Sequence, residues 1–281
     1  MPRFSCSSFL SLIRLVVPAL AAMGTAGAQD VDAAWKELYI KAQRAAVDHD
    51  FPAAQTAFES ALHEAERFGP ADTRVANTLN SLGIAQRDAK HLSEAETSFR
   101  RALAILEAGP PGPSQDMADV SFNLAGVLIA TGKPQPAIAL LSRSLSINEQ
   151  LSGGQSVRAA DVHCALGDAY VAMKLYSDAE GPLKRCAAIR EQDGGMLNPG
   201  FGDVQISLAF VYTKQGRFAL AEQRYRLAAR IRERTLGITS PVFAEALEAH
   251  AAVLKTLGRD EEAAKAATMA AAIRRGEHKA K

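Results

Sequence analysis

Apolar and polar positions along this chain follow a helical rhythm that restarts at a fixed interval. Val75, Leu79 and Leu82 fall three and four residues apart, and after a short polar turn Ala95, Phe99, Ala102 and Leu106 repeat the spacing. The two runs predict a pair of amphipathic helices folded back on each other. The pair recurs every 42 residues, with Leu82, Leu124, Leu166 and Leu208 in one column and Gly83, Ala125, Gly167, Ala209 and Ala251 in the next. Ala42 joins that small-residue column one unit upstream with a slip of one residue. A second small column holds Ala54, Ala95, Ala137, Ala179, Ala221 and Ala263, followed four residues later by Phe58, Phe99, Leu141, Leu183, Tyr225 and Ala267. Ile105, Ile147, Ile189, Ile231 and Ile273 close their units, and six units result.

Antiparallel helices approach closely only where facing residues lack bulk, so Gly83 is expected to meet Ala95 and Gly167 to meet Ala179. The larger side chain four residues on should fill the space beside them. Gly132, Gly216 and Gly258 mark turns inside units, while Ser93 with Glu96 and Ser177 with Glu180 have the spacing of capping boxes. Gly109-Pro110-Pro111-Gly112-Pro113, Gly153-Gly154, Gly194-Gly195 and Ser240-Pro241 separate units. Pro182, beside Gly181, is expected to weaken or kink its helix.

Leu166-Gly167, Tyr170, Ala179, Leu183 and Cys186 together resemble the tetratricopeptide repeat. The 42-residue period, the Leu79-Asn80 pair and the Glu-Ala-Glu opening of the second helix are similar to the longer repeats of kinesin light chains. The resemblance covers Asp32 to Arg274 and implies an all-α, right-handed α-solenoid of about six hairpins. The units run over 32–72, 73–114, 115–156, 157–199, 200–241 and 242–275, inside an array of 29–275 followed by a polar tail, 276–281. The first and last units depart from the pattern, as terminal caps facing water do.

The first 28 residues read differently. Arg3 and Arg14 precede an apolar run from Leu15 to Ala22, and Ala26-Gly27-Ala28 offers a small-residue cleavage site, the pattern of a secretory signal peptide. The run is too short to span a bilayer, and no later segment approaches the ~20 apolar residues that a span needs. A periplasmic or secreted location follows, without stable membrane insertion after cleavage. The full chain carries a formal charge of +1, and loss of Arg3 and Arg14 leaves −1. Neither value supplies a field that draws nucleic acid or anionic lipid.

Candidate chemistry is sparse. Cys164 and Cys186 survive processing and sit in the two helices of one hairpin, where a disulfide competes with two unpaired small residues, the reading the columns favour. No Cys-x-x-Cys is present. His163 adjoins Cys164, but helix neighbours diverge by about 100° and cannot meet at one atom. The other histidines lack metal-ligand spacing, and the glycine pairs lack that of a phosphate loop, so no catalytic residue, metal or cofactor is assigned. Arg226, Arg230 and Arg234 read either as an anionic docking stripe or as a solvated face paired to Glu222, with the second favoured.

In tetratricopeptide arrays the first helices line a concave groove, and the resemblance places two variable columns there. One reads Tyr39, Asn80, Phe122, Cys164, Ile206 and Glu248, and the other includes Ile84, Asp168 and Phe210. Arg87 and Lys255 lie further along the same helices. Asn77, Asp119, Asp161, Asp203 and Glu245 form either an acidic ladder lining the groove or first-turn residues that favour the helix dipole, and both readings can hold. The chain is therefore expected to be a non-enzymatic scaffold or adaptor binding a peptide or partner domain in the groove. The alternatives are an assembly or regulatory subunit of an envelope complex, docked through its convex face or caps, and a thiol redox protein.

Overall fold

The computed structural model describes residues 26–277, with side chains from residue 30 onward. Most of the leader expected over 1–28, and residues 278–281 of the tail, lie outside the described residues. The chain divides into two compact units at residue 151/152. The first contains α1 (Ala26–Val47), α2 (Phe51–Glu66), α3 (Thr73–Asp88), α4 (Leu92–Ala108), α5 (Gln115–Ala130) and α6 (Pro134–Ser152). The second contains α7 (Val157–Ala172), α8 (Tyr176–Gln192), α9 (Pro199–Lys214), α10 (Phe218–Leu236), α11 (Pro241–Thr256) and α12 (Asp260–Arg274). Among the described residues there is no strand.

Consecutive helices pack as hairpins around the columns read from the sequence. Ala54, Ala95, Ala137, Ala179 and Ala221 are fully buried, as are Phe99, Leu141, Leu183 and Ile231 to within about one per cent. The glycines of the small column are closed over by the large residue rather than by the alanine. A β-carbon on Gly83 would come within 2.7 Å of the Phe99 ring, and one on Gly167 would overlap Leu183. The side chain therefore lies across the glycine it was expected to flank, because an antiparallel partner leans its long side chains toward its own N-terminus.

The capping expectation is corrected. Ser93 and Ser177 do not cap their helices: α4 and α8 begin earlier, after His91 and Leu175, without a side-chain cap. Glu96 and Glu180 reach sideways instead, Glu96 to Lys133 at 3.0 Å and Glu180 to Arg217 at 2.7 Å, each cation standing at the turn of the following hairpin. Side-chain caps open the first helices, where Asp72, Ser114, Ser156, Asn198 and Ser240 accept from backbone amides. Pro182 lies inside α8, which runs on to Gln192.

Each hairpin turns at one residue in the left-handed region. Gly132, Gly216 and Gly258 take φ of 73–75°, and His49, Lys90 and Lys174 hold the equivalent place at 59°, 69° and 60°. The next amide donates back into the first helix, as in Leu175 to the Tyr170 carbonyl at 2.9 Å, closing a Schellman-type turn. Side chains with a β-carbon are disfavoured there, so Lys174→Gly should stabilise the protein by about 1 kcal/mol. Urea unfolding checks this; a loss of stability would show that the lysine side chain contributes more than its backbone strain costs.

Candidate functional site

On the first unit, the first helices are bonded sideways from one hairpin to the next. The Trp35 indole donates to Thr78 Oγ1 at 3.0 Å, and the Tyr39 hydroxyl and Ser81 Oγ lie 2.7 Å apart, tying α1 to α3. Tyr39 also packs edge-on against Phe58, with ring centroids 5.6 Å apart, and burial pushes its hydroxyl pKa up. Asn123 Nδ2 donates to Asn80 Oδ1 at 3.0 Å, and Asn77 bonds the carboxyl of Asp116, whose pKa desolvation nevertheless raises. Gln115 donates to Asp119 at 2.8 Å and to Asn148 on α6 at 3.2 Å. Arg87 pairs with Asp88 at 2.9 Å, and Ile84 and Phe122 are half-buried on the same helices.

The second unit uses its polar residues differently. Asp161 pairs with Arg190, and Asp203 with Arg232 at 3.0 Å. Both arginines lie near the end of the second helix of their own hairpin, so these acids close hairpins instead of standing open along a groove. Arg232 also donates to the Val242 carbonyl at 2.8 Å. Glu245 is exposed, because Arg274, the counterpart of Arg190 and Arg232, bonds Glu248 at 2.6 and 2.9 Å. The signal for this arrangement was in the chain: the position after the closing isoleucine reads Arg190, Arg232 and Arg274 at the 42-residue period.

Cys164 and Cys186 form a disulfide, with Cα atoms 5.4 Å apart. This is the pairing that the columns disfavoured, and it also removes Cys164 from the groove: the residue is 5% exposed and Cys186 is 0% exposed. Position 164 is three residues before Gly167, close enough to the packing face for a small side chain to turn inward. His163 beside it is half-buried, and no free thiol stands next to it. Ile206 is likewise drawn inward, packing on the cluster that includes Phe243, Leu247 and Ile273.

Phe210 on α9 is half-buried, with the Tyr176 ring edge-on at 6.2 Å and the Lys214 ammonium 5.2 Å from its centroid. Lys255 is exposed near the end of α11. Asp168 occupies the corresponding place on α7, one period before Phe210. Desolvation, helped by the negative charge of Asp203, pushes its carboxyl pKa up to about 7. A carboxyl raised in this way weakens the fold as pH climbs from about 4 through 7, since the folded chain resists a charge that the unfolded chain accepts in water.

The arginine stripe resolves into a pair and two free ends. Arg226 lies 3.7 Å from Glu222, which is only 5% exposed and also receives His250 at 3.2 Å and Arg259 at 3.4 Å. Arg230 and Arg234 are exposed on α10. No described helix is long and apolar enough to cross a membrane.

Hairpins in a fixed register, with close-packed small columns and variable side chains on the first helices, define a helical-repeat protein. Sequence profiles of the tetratricopeptide repeat match residues 75–108, 116–192 and 202–276, more than half of the chain. The chain belongs to the tetratricopeptide repeat family, and its fold class is an α-solenoid of such hairpins. Solved structures agree on the fold. BtubC (BKLC) from P. vanneervenii is 17% identical with a TM-score of 0.70, over 82% of this chain and 94% of that one. A Podosopora anserina protein of nearly identical TPR-like repeats is 19% identical with a TM-score of 0.64, over 75% and 99%. PilW, a widely conserved type IV pilus biogenesis factor, is 18% identical with a TM-score of 0.62, over 83% and 90%. No curated protein sequence matches the chain significantly.

Proposed function

We propose that this chain is an exported, non-catalytic scaffold that binds a peptide or partner domain against the face of its first helices. The observation that carries the reading is the contrast between columns. The small and large core positions are consumed by packing, whereas Ile84, Phe122, Asp168 and Phe210 change chemistry from hairpin to hairpin and keep part of their surface. In the first unit, sideways bonds such as Asn80 to Asn123 hold successive first helices in register, so a ligand meets a surface there that is already ordered. Export is supported by the leader-like pattern of the first 28 residues and by the disulfide, a bond kept in oxidising compartments. Both sulfur atoms belong to buried residues, which argues against turnover as a dithiol.

The test is affinity capture from the cell-envelope fraction with the mature protein and with a Phe122→Ala/Phe210→Ala variant of matched helicity and melting temperature. Loss of at least one captured protein, by about tenfold, is expected from removing two aromatic anchors. Unchanged capture of every partner would overturn the first-helix reading. Capture that instead disappears on Arg230→Glu/Arg234→Glu would place docking on the outer face, as an envelope-assembly subunit requires.

A further inference from the structure

We infer that Asp168 anchors a basic side chain, lysine or arginine, of the polypeptide segment that occupies the first-helix face of residues 152–277. This rests on the first-helix binding reading and adds the chemistry of one contact to it.

The inference starts from how this unit treats its other acids. Asp161 has Arg190, Asp203 has Arg232, and Glu180 has Arg217 and Lys184. Glu222 has three basic neighbours. These, with Asp168, are the buried and half-buried carboxylates among the described residues of the unit. Among the described residues, Asp168 alone has neither a hydrogen-bond donor nor a cation, and the charge that acts on it, Asp203, has its own sign. A half-buried carboxylate without a partner weakens a fold, and an asparagine of the same shape would remove most of that penalty.

The position matters as much as the isolation. Asp168 directly follows Gly167, whose face is covered by Leu183, so the next residue is rotated out of the hairpin interface toward the outer side of α7. One period on, the same place is held by Phe210, with Tyr176 edge-on beside it. A half-buried carboxylate, with an aromatic ring in the equivalent place on the adjacent first helix, suits an ammonium or guanidinium carried on an apolar stem. An acidic or purely apolar segment would leave the carboxylate uncompensated. The basic residue of the ligand therefore supplies the charge that the fold withholds.

The test is selection of a random-peptide display library on the purified, disulfide-intact protein, run in parallel on Asp168→Asn. Peptides enriched on the wild type should share a Lys or Arg at one fixed position, and their affinity should fall about tenfold or more on Asp168→Asn. The variant itself should melt cooperatively several degrees higher at pH 8, which separates lost recognition from lost folding. Replacing the peptide's basic residue by norleucine should weaken binding to the wild type but not to Asp168→Asn. Enriched peptides without a fixed basic residue, or equal norleucine losses on both proteins, would overturn the assignment. If such peptides still lose binding on Phe122→Ala/Phe210→Ala, the first-helix reading survives and only the role of Asp168 falls. Enrichment of no peptide at all counts against both.

Discussion

Arg232→Ala is expected to lower the unfolding free energy by about 3 kcal/mol, measured by urea denaturation at pH 7, whereas Arg230→Ala should change it by less than about 0.5 kcal/mol. The two residues stand on the same helix and differ in what they touch. Arg232 is 8% exposed, bonds Asp203 on α9 at 3.0 Å and donates to the Val242 carbonyl at the start of α11 at 2.8 Å. Truncation leaves a half-buried carboxylate and a backbone acceptor without their donor, and both costs fall on the junction of three helices. Arg230 is exposed and holds no such position. A loss under about 1 kcal/mol at Arg232 would mean that water replaces the guanidinium readily.

The second large effect is expected from the disulfide. Cys164→Ala/Cys186→Ala should cost about 3 kcal/mol, the loop-closure value for a crosslink across 22 residues. The bond lies one turn from a gap in the backbone hydrogen bonding of α8. Pro182 sits inside α8 without an amide hydrogen to give, next to Gly181, and Cys186 is one turn further on. The covalent link to α7 holds that turn in place. In the purified protein, thiol titration should find Cys164 and Cys186 unreactive until denaturant and reductant are added together. Two thiols reacting in denaturant alone would refute the bridge, and a double variant as stable as the wild type would refute its contribution.

These two sites also mark the limit of what the sequence could disclose. The hairpins and their core columns were legible because close helix packing imposes the same size requirement at every repeat, so Ala95, Ala137, Ala179 and Ala221 announce themselves. The Asp203–Arg232 bond was half legible: the acidic column stands out at the 42-residue period, while Arg190, Arg232 and Arg274 carry, beyond the same period, no mark that separates them from the exposed arginines of the same helices. The capping boxes misled because Ser93 and Ser177 have the correct spacing to Glu96 and Glu180 but fall inside helices that already start at Leu92 and Tyr176. Left-handed turns were signalled by glycine in three hairpins and hidden in the others by His49, Lys90 and Lys174, which tolerate the same φ at a cost. The solitude of Asp168 could not be read at all, since the lack of a partner depends on every neighbouring element.

The placement of the single bridge has one more consequence. Residues 26–151 contain no cysteine, and both thiols of the bridge belong to residues 152–277. The first three hairpins can therefore mature as soon as their chain is released, under any redox condition. The fourth reaches its final strength only once an oxidant has closed Cys164 to Cys186, so the redox state of the surroundings acts on one hairpin and leaves the first three untouched.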